Sequence, residues 1–178
     1  MLSRRSFLTV PPALAAAALA YPRRAHAEPR VGAAFPGFTA RGLDDRTHTQ
    51  QDLMGRRVFV VAMTSVDAQT DMIHWLNNAE ARLGRARGNI FALVALRLGF
   101  YAWDGIVRSE ARRGTPQWRW PNVYLDRDGH LQNMIGLPND QRVPWAYVVE
   151  ANGIVSVATH AIASHPTAQQ VWAQMAGP

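Results

Sequence analysis

Two uninterrupted apolar runs, each about as long as a buried strand, are the clearest pattern in the chain. Residues 58–63 read Val-Phe-Val-Val-Ala-Met, and residues 91–96 read Phe-Ala-Leu-Val-Ala-Leu. A strand that is apolar on both faces belongs in the interior of a sheet, where other elements cover both surfaces. The pattern therefore predicts two central strands of one sheet.

Apolar residues recur at helical spacing between these strands and again further along the chain. The first predicted helix ends at Gly84, and its apolar positions are Met72, Ile73, Leu76, Ala79 and Leu83. A second helix is predicted over residues 103–113, before Gly114. A last helix is predicted to run through Met175, with Ser164, His165 and Pro166 capping its start.

Turn signals divide the remaining segments into short strands. Asn152-Gly153 predicts a tight hairpin between strands 145–150 and 154–159. The segment 126–129 predicts a turn between strands 122–125 and 130–135, and residues 31–49 predict an N-terminal hairpin that turns at 42–45. Strands joined by helices and followed by an antiparallel hairpin and a helix predict an α/β fold with one mixed sheet.

The first 27 residues have the organisation of an export signal. Residues 3–8 read Ser-Arg-Arg-Ser-Phe-Leu, with the arginine pair at Arg4 and Arg5, and small residues precede a cleavage site after Ala27. The segment resembles a bacterial twin-arginine signal peptide, which implies export by the Tat translocase and a mature domain, residues 28–178, in the periplasm. Because the apolar stretch is short and contains two prolines, we expect no stable membrane anchor, although an uncleaved anchor is the alternative.

Composition narrows the chemistry of the mature domain. The chain of 178 residues has no cysteine, and all 19 of its Lys+Arg residues are arginine. Disulfides, thiolate catalysis and thiolate metal sites are therefore excluded, as is Schiff-base chemistry on lysine. Four of the arginines lie in residues 1–27, which have no acid, so 15 arginines face 13 acids in the remainder, a net charge of +2. That balance predicts no nucleic-acid partner.

Several short phrases, in this order and spacing, resemble the thioredoxin-like superfamily, especially its exported TlpA-like and peroxiredoxin-like branches. They are Phe35-Pro36-Gly37-Phe38, Asp52-Leu53-Met54-Gly55-Arg56, Tyr124 to Gly129, and Val143-Pro144 followed by Asn152-Gly153. The resemblance covers most of residues 31–176. It implies a thioredoxin-like central mixed sheet flanked by helices, with the N-terminal hairpin as an extension and a cis-proline loop at Val143-Pro144.

The resemblance places the Cys-x-x-Cys site of the family at Asp67, Ala68, Gln69 and Thr70. Asp67 stands for the attacking cysteine and Thr70 for the resolving one. A carboxylate or a hydroxyl cannot exchange disulfides or reduce a peroxide through a sulfenic acid, so thiol oxidoreductase and thiol peroxidase activities are excluded. We expect Asp67 to cap the helix that follows it.

A cysteine-free member of this superfamily is expected to work by binding. In the superfamily the loop that corresponds to Val143-Pro144 pairs with extended polypeptide, a form of strand addition. Four tryptophans are candidates for a partner surface, because this residue type is enriched at interfaces: Trp103, Trp118, Trp120 and Trp145. We therefore predict an exported, redox-inactive protein that binds a polypeptide partner, or assists assembly of a periplasmic complex, through the former active-site groove.

Two alternative functions stay open, one as a carrier and one as an enzyme. Asp67, Asp71 and His74 can share one helix face, so the protein could carry a metal or a small ligand, although a site without a thiolate would be unusual. An enzyme with chemistry that needs no thiol could also use the groove, but no motif supports it. No cofactor is predicted, and a metal is the weaker expectation.

Overall fold

The two apolar runs lie side by side at the centre of a five-stranded mixed sheet, as the sequence predicts. The computed structural model describes residues 28–98 and 104–177, so the predictions for Arg4, Arg5, the cleavage site after Ala27 and Trp103 lie outside the described residues. The strands are β1 (Thr39–Arg41), β2 (Thr47–Thr49), β3 (Val58–Met63), β4 (Ile90–Ala95), β5 (Val123–Asp126), β6 (Trp145–Val149) and β7 (Val155–His160). The helices are α1 (Gln69–Leu83), α2 (Asp104–Arg113), α3 (His130–Ile135) and α4 (Ala168–Ala176).

The order of strands in the main sheet is β5-β4-β3-β6-β7. Strands β3, β4 and β5 are parallel, whereas β6 is antiparallel to both β3 and β7. Strand β3 is buried along its whole length because the sheet is covered on both faces. One face packs against α3 and the segment around Phe35 and Phe38, and the other packs against α1, α2 and α4.

The predicted strand 130–135 is wrong, because these residues form helix α3. The carboxylate of Asp126 accepts a hydrogen bond from the backbone N–H of Leu131 at 2.9 Å, which supports a helix start directly after the turn. Gly129, with φ of +76°, allows the sharp change of direction. Leu131 and Ile135 then lie one helical turn apart and are both buried.

The last helix also begins later than predicted, at Ala168. The residues that were expected to cap it form turns instead, in which the N–H of His165 donates to the carbonyl of Ile162 at 3.0 Å. Thr167, which precedes the helix, makes no capping hydrogen bond through its side chain. The loop between β7 and α4 is therefore longer than the sequence indicates.

The N-terminal hairpin of β1 and β2 covers the outer side of β5. The N–H of Leu43 donates to the carbonyl of Val123 at 2.9 Å, and Gly42 forms an isolated bridge with Tyr124. The guanidinium of Arg108, which is buried, donates to the carbonyls of Gly42 at 3.0 Å and Leu125 at 3.2 Å. The hairpin thus closes one edge of the main sheet. No helix of residues 28–98 and 104–177 has the length and apolar character needed to cross a bilayer.

A polar cluster fastens the end of α4 to the sheet. Arg57 donates from Nε to the carboxylate of Glu150 at 2.8 Å and from Nη1 to the carbonyls of Gln174 at 2.8 Å and Gly177 at 3.0 Å. The side-chain amide of Gln174 donates to the same carboxylate at 2.8 Å. Burial alone would raise the pKa of Glu150, but hydrogen bonds from Ser156, Arg57 and Gln174 outweigh it and hold that pKa below its ordinary value.

This cluster predicts acid-sensitive stability that depends on Glu150. Because the folded-state pKa lies below the unfolded value of about 4.3, the charged carboxylate stabilises the fold above that pH, and the contribution is lost as the pH falls through the folded-state pKa. We expect Glu150→Gln to lower the free energy of unfolding by about 1 kcal/mol at pH 7 and by less at pH 3. Urea denaturation at both pH values measures this, and an equal loss at both would contradict it.

Candidate functional site

Helix α1 begins directly after a short 3₁₀ turn that contains Asp67. The turn comprises residues 66–68, and the side-chain oxygen of Ser65 accepts a hydrogen bond from the N–H of Asp67 at 3.3 Å. The prediction that Asp67 caps the helix is therefore wrong, because Ser65 caps the turn and α1 itself has no side-chain cap. Asp67 lies within the turn, with its side chain available to the surface.

The loop at residues 141–144 lies against this turn, as the resemblance implies. The N–H of Gln141 donates to the hydroxyl of Thr64 at 3.3 Å, and Thr64 is buried at the end of β3. Nε of Arg142 lies 3.7 Å from the carboxylate of Asp67, with both side chains mostly exposed to solvent. An exposed pair of this kind adds little stability, but it shows that the two side chains face each other.

The proline of this loop differs from the geometry that the resemblance implies. No peptide bond of residues 28–98 and 104–177 is cis, so the Val143-Pro144 bond, whose isomer the sequence alone leaves open, is trans. The carbonyl of Val143 accepts a hydrogen bond from Nε2 of His160 at 2.8 Å, which requires a proton on that nitrogen. A side chain of the protein itself therefore occupies one of the backbone groups with which an extended polypeptide could pair.

Trp145 lies beneath the loop and holds His160 in place. Its indole ring stacks on the imidazole of His160, with centroids 4.1 Å apart and planes inclined by 7°. The indole N–H donates to the carboxylate of Glu28 at 2.7 Å. Trp145 is only 2% exposed, so the expectation that it belongs to a partner surface is wrong. It supports the site from below.

The exposed part of the site combines apolar and polar groups of little net charge. Val66 in the turn is 54% exposed, and Ile73 on α1 is also exposed. Gln69 and Thr70 are exposed at the start of α1. We call the set of residues 64–70, 141–144 and His160 the Asp67 surface. It offers side chains for contact and hydrogen bonding, and it contains no thiol where the resemblance places the reacting sulfurs.

Trp118 and Trp120 lie away from the Asp67 surface. They belong to a 3₁₀ segment at residues 117–122 that leads into the start of β5. Because β3 and β5 run parallel, the start of β5 and the end of β3 lie at opposite ends of the sheet. Arg119 forms an ion pair with Glu80, which is 13 residues, or about 20 Å of helix, from Asp67. The described tryptophans therefore do not form one surface.

The candidate metal ligands are not gathered either. The imidazole of His74 lies 3.9 Å from the carboxylate of Asp71, whereas Asp67 faces Arg142. No group of three or more His, Cys, Asp or Glu side chains is arranged to hold a metal ion in the part of the chain that the structure describes.

Comparisons with known proteins identify the fold. No protein-family model matches the chain, and no curated protein matches its sequence. A protein assigned as the thiol:disulfide interchange protein DsbE from Chlorobium tepidum superposes with a TM-score of 0.57 at 17% identity, over 83% of this chain and 95% of that chain. A thiol peroxidase from Chromobacterium violaceum gives 0.53 at 14% identity, over 85% of this chain and 91% of its own.

A third solved structure is BsSco, a member of the Sco family of cytochrome c oxidase assembly proteins. It matches with a TM-score of 0.52 at 11% identity, over 82% of this chain and 94% of that chain. Identities this low show a shared fold alone. The chain therefore has a thioredoxin-like fold, with an N-terminal two-stranded extension, and the sequence prediction of its fold class is confirmed.

Proposed function

We propose that the protein is exported, has no thiol redox activity, and binds an extended segment of a polypeptide partner at the Asp67 surface. The observation that carries the proposal is the contact between the two segments of the Asp67 surface. Gln141 bonds to Thr64, and Arg142 faces Asp67. The resemblance places the superfamily's reactive centre at this contact, with Asp67 and Thr70 at the positions of its two sulfurs. A surface without its reagent can still recognise a ligand.

The chemistry of the surface favours a polypeptide of low net charge. Val66 offers exposed apolar area, and Asp67 and Arg142 carry opposite charges. The backbone of residues 141–144 leads directly into β6, so an extended segment could add along it as a strand does, at backbone groups other than the Val143 carbonyl, which His160 occupies, and the Gln141 N–H, which Thr64 accepts. BsSco, which shares the fold, is described as an assembly protein, and a role in assembling an exported complex fits the same proposal.

The proposal that the protein is exported depends on the signal-like segment at residues 1–27. The arginine pair at Arg4 and Arg5 and the small residues before position 28 are consistent with a folded protein that crosses by the Tat route into the periplasm. A polypeptide partner in that compartment, travelling with the protein or met after export, is the ligand we propose.

Matched valine variants test the proposal. The probe is a fluorescently labelled polypeptide kept unfolded by carboxymethylation, and its binding is followed by fluorescence anisotropy. Val66→Asp places a second carboxylate beside Asp67 and removes apolar area, so we expect affinity to fall roughly tenfold, about 1.4 kcal/mol. Val31→Asp is the control, because Val31 is 61% exposed, comparable with the 54% of Val66, but lies in the turn at residues 30–33, which hydrogen-bonds to Val155 at the start of β7.

The outcomes separate clearly. A weakened Val66→Asp variant beside an unchanged Val31→Asp variant supports binding at the Asp67 surface. Failure of the unsubstituted protein to bind the probe, or equal weakening by both substitutions, would overturn the proposal. Thermal unfolding of both variants should match that of the parent protein, because both positions are exposed.

A further inference from the structure

A cavity lies between the N-terminal hairpin and the end of β5. Its volume is about 450 Å³, and its walls come from β1, from the last residues of β5 and from the turn that follows them. This volume lies within the range of cavities that hold small molecules, roughly 300–1,000 Å³. None of the described residues that line the cavity belongs to the Asp67 surface.

The cavity begins where the backbone ladder between the hairpin and β5 ends. Between residues 39–41 and 125–126, all of which the structure describes, there is no backbone hydrogen bond. The guanidinium of Arg108 joins the two segments instead, through the carbonyls of Gly42 and Leu125. Because Arg108 is only 8% exposed and lines the cavity, it provides a fixed positive charge at its inner side.

Positive side chains outnumber negative ones on the walls. The lining includes three arginines, two aspartates and one histidine: Arg41, Arg108, Arg127, Asp126, Asp128 and His130. Three arginines against two aspartates give a net charge of +1 with the histidine neutral. The carboxylate of Asp126 is already engaged, since it accepts the N–H groups of Leu131 at 2.9 Å and Asp128 at 3.4 Å.

The two outer arginines form ion pairs that an anion from solution can replace. Arg41 lies 3.0 Å from the carboxylate of Asp45, and both side chains are about half exposed. Nε of Arg127 lies 3.7 Å from the carboxylate of Asp128, whose side chain is 59% exposed. Exposed pairs of this kind contribute little stability, so exchanging their carboxylates for those of a ligand costs little.

We propose that this cavity binds a small molecule that carries a carboxylate or phosphate group. The planar guanidinium of arginine presents several N–H donors that match the oxygens of both groups. Arg108 contributes the buried charge, and Arg41 and Arg127 contribute theirs from the walls. Because the cavity lies between the hairpin and β5, the bound anion also fastens the hairpin to the sheet. The site does not depend on polypeptide binding at the Asp67 surface.

Isothermal titration calorimetry of the full chain at low ionic strength tests the proposal, with citrate and pyrophosphate as separate probes. We expect at least one probe to bind with a Kd of about 1 mM or tighter, and the tighter probe identifies carboxylate or phosphate chemistry. Arg127→Gln removes a charged donor from the cavity and should weaken binding about tenfold. Arg113→Gln is the matched control, because it removes the same charge from an exposed position of α2 outside the cavity.

A second variant and a second measurement keep the test independent of how Arg127→Gln folds. Arg41→Gln, at a half-exposed position, should also weaken binding. Two-dimensional ¹⁵N NMR spectra of the unsubstituted chain locate the bound probe without any substitution. We expect the largest changes at the backbone amides of residues 39–41 and 126–130.

Three results would overturn the proposal. One is a Kd weaker than about 1 mM for both probes. Another is binding that every folded variant with a substituted cavity arginine retains at the strength of Arg113→Gln. The third is a set of NMR changes that lies outside the cavity, because the probe would then occupy a different site.

Discussion

The double substitution Asp67→Cys, Thr70→Cys is expected to create a redox-active dithiol in a protein that otherwise has no thiol. The structure places Asp67 in the turn before α1 and Thr70 in its first turn. A cysteine at position 67 would lie near the positive end of the helix and face Arg142, and both effects lower the pKa of a thiol. We expect a disulfide between the new cysteines and insulin reduction, with dithiothreitol as electron source, at least tenfold above background.

The matched control uses the same spacing one turn further along α1. Asp71→Cys, His74→Cys also creates Cys-x-x-Cys, but it moves the first thiol away from the helix start and from Arg142. We expect much less reductase activity from this variant. Equal activity of the two double variants, or failure of the 67/70 pair to form a disulfide, would show that the Asp67 surface does not correspond to the reactive centre of thioredoxin-like proteins.

The substitution Trp75→Ala is expected to give the largest loss of stability, about 3–5 kcal/mol. Trp75 on α1 is fully buried, and its ring lies 5.7 Å from that of Phe59 and 5.2 Å from that of Trp172. Its indole N–H also donates to the carbonyl of Ala161 at 2.8 Å. Removing the ring therefore leaves a cavity between α1, α4 and the sheet, and it releases the residue that follows His160.

Two further variants, measured by urea denaturation, separate the contribution of the Trp75 hydrogen bond from that of its buried volume. Trp75→Phe keeps most of the apolar volume but loses the hydrogen bond, so we expect a loss of about 1–2 kcal/mol. Trp118→Ala removes a partly exposed ring that contacts the guanidinium of Arg119 and should lower the free energy of unfolding by about 1 kcal/mol or less. A loss of stability from Trp75→Ala no larger than that from Trp118→Ala would contradict a central role of Trp75 in the core.

Strongly patterned segments made most of the fold predictable. The runs at β3 and β4 are apolar at every position, and such strands belong in the middle of a covered sheet. The strand predicted at 130–135 is wrong because the Asp-Gly before it indicates a hairpin turn, whereas Leu131, Met134 and Ile135 also fit the spacing of a helix. The hydrogen bond from Leu131 to Asp126 decided the outcome, and a local turn signal does not reveal it.

The site was predictable where order along the chain carries information. The resemblance located Asp67 and Val143-Pro144, and the fold brings those segments together. His160 is a residue of the site that the sequence analysis missed. The sequence does contain a signal for it: counting residues outward from the turn at Asn152-Gly153 places His160 opposite Trp145 in the hairpin, as observed. Thr64 and Glu28 could not be found this way, since their contacts join distant segments. The prediction that the tryptophans form one partner surface is wrong because the sequence does not distinguish a buried ring from an exposed one.

The hydrogen bond between Glu28 and Trp145 has a practical consequence for fusion proteins. The described chain begins at the end of the sheet that carries the Asp67 surface, whereas Gly177 contacts Arg57, just before β3, at the opposite end. Six strand residues separate the two ends of β3, about 20 Å. An affinity tag or reporter joined after Gly177 therefore leaves the Asp67 surface accessible, while one joined directly before Glu28 begins beside it.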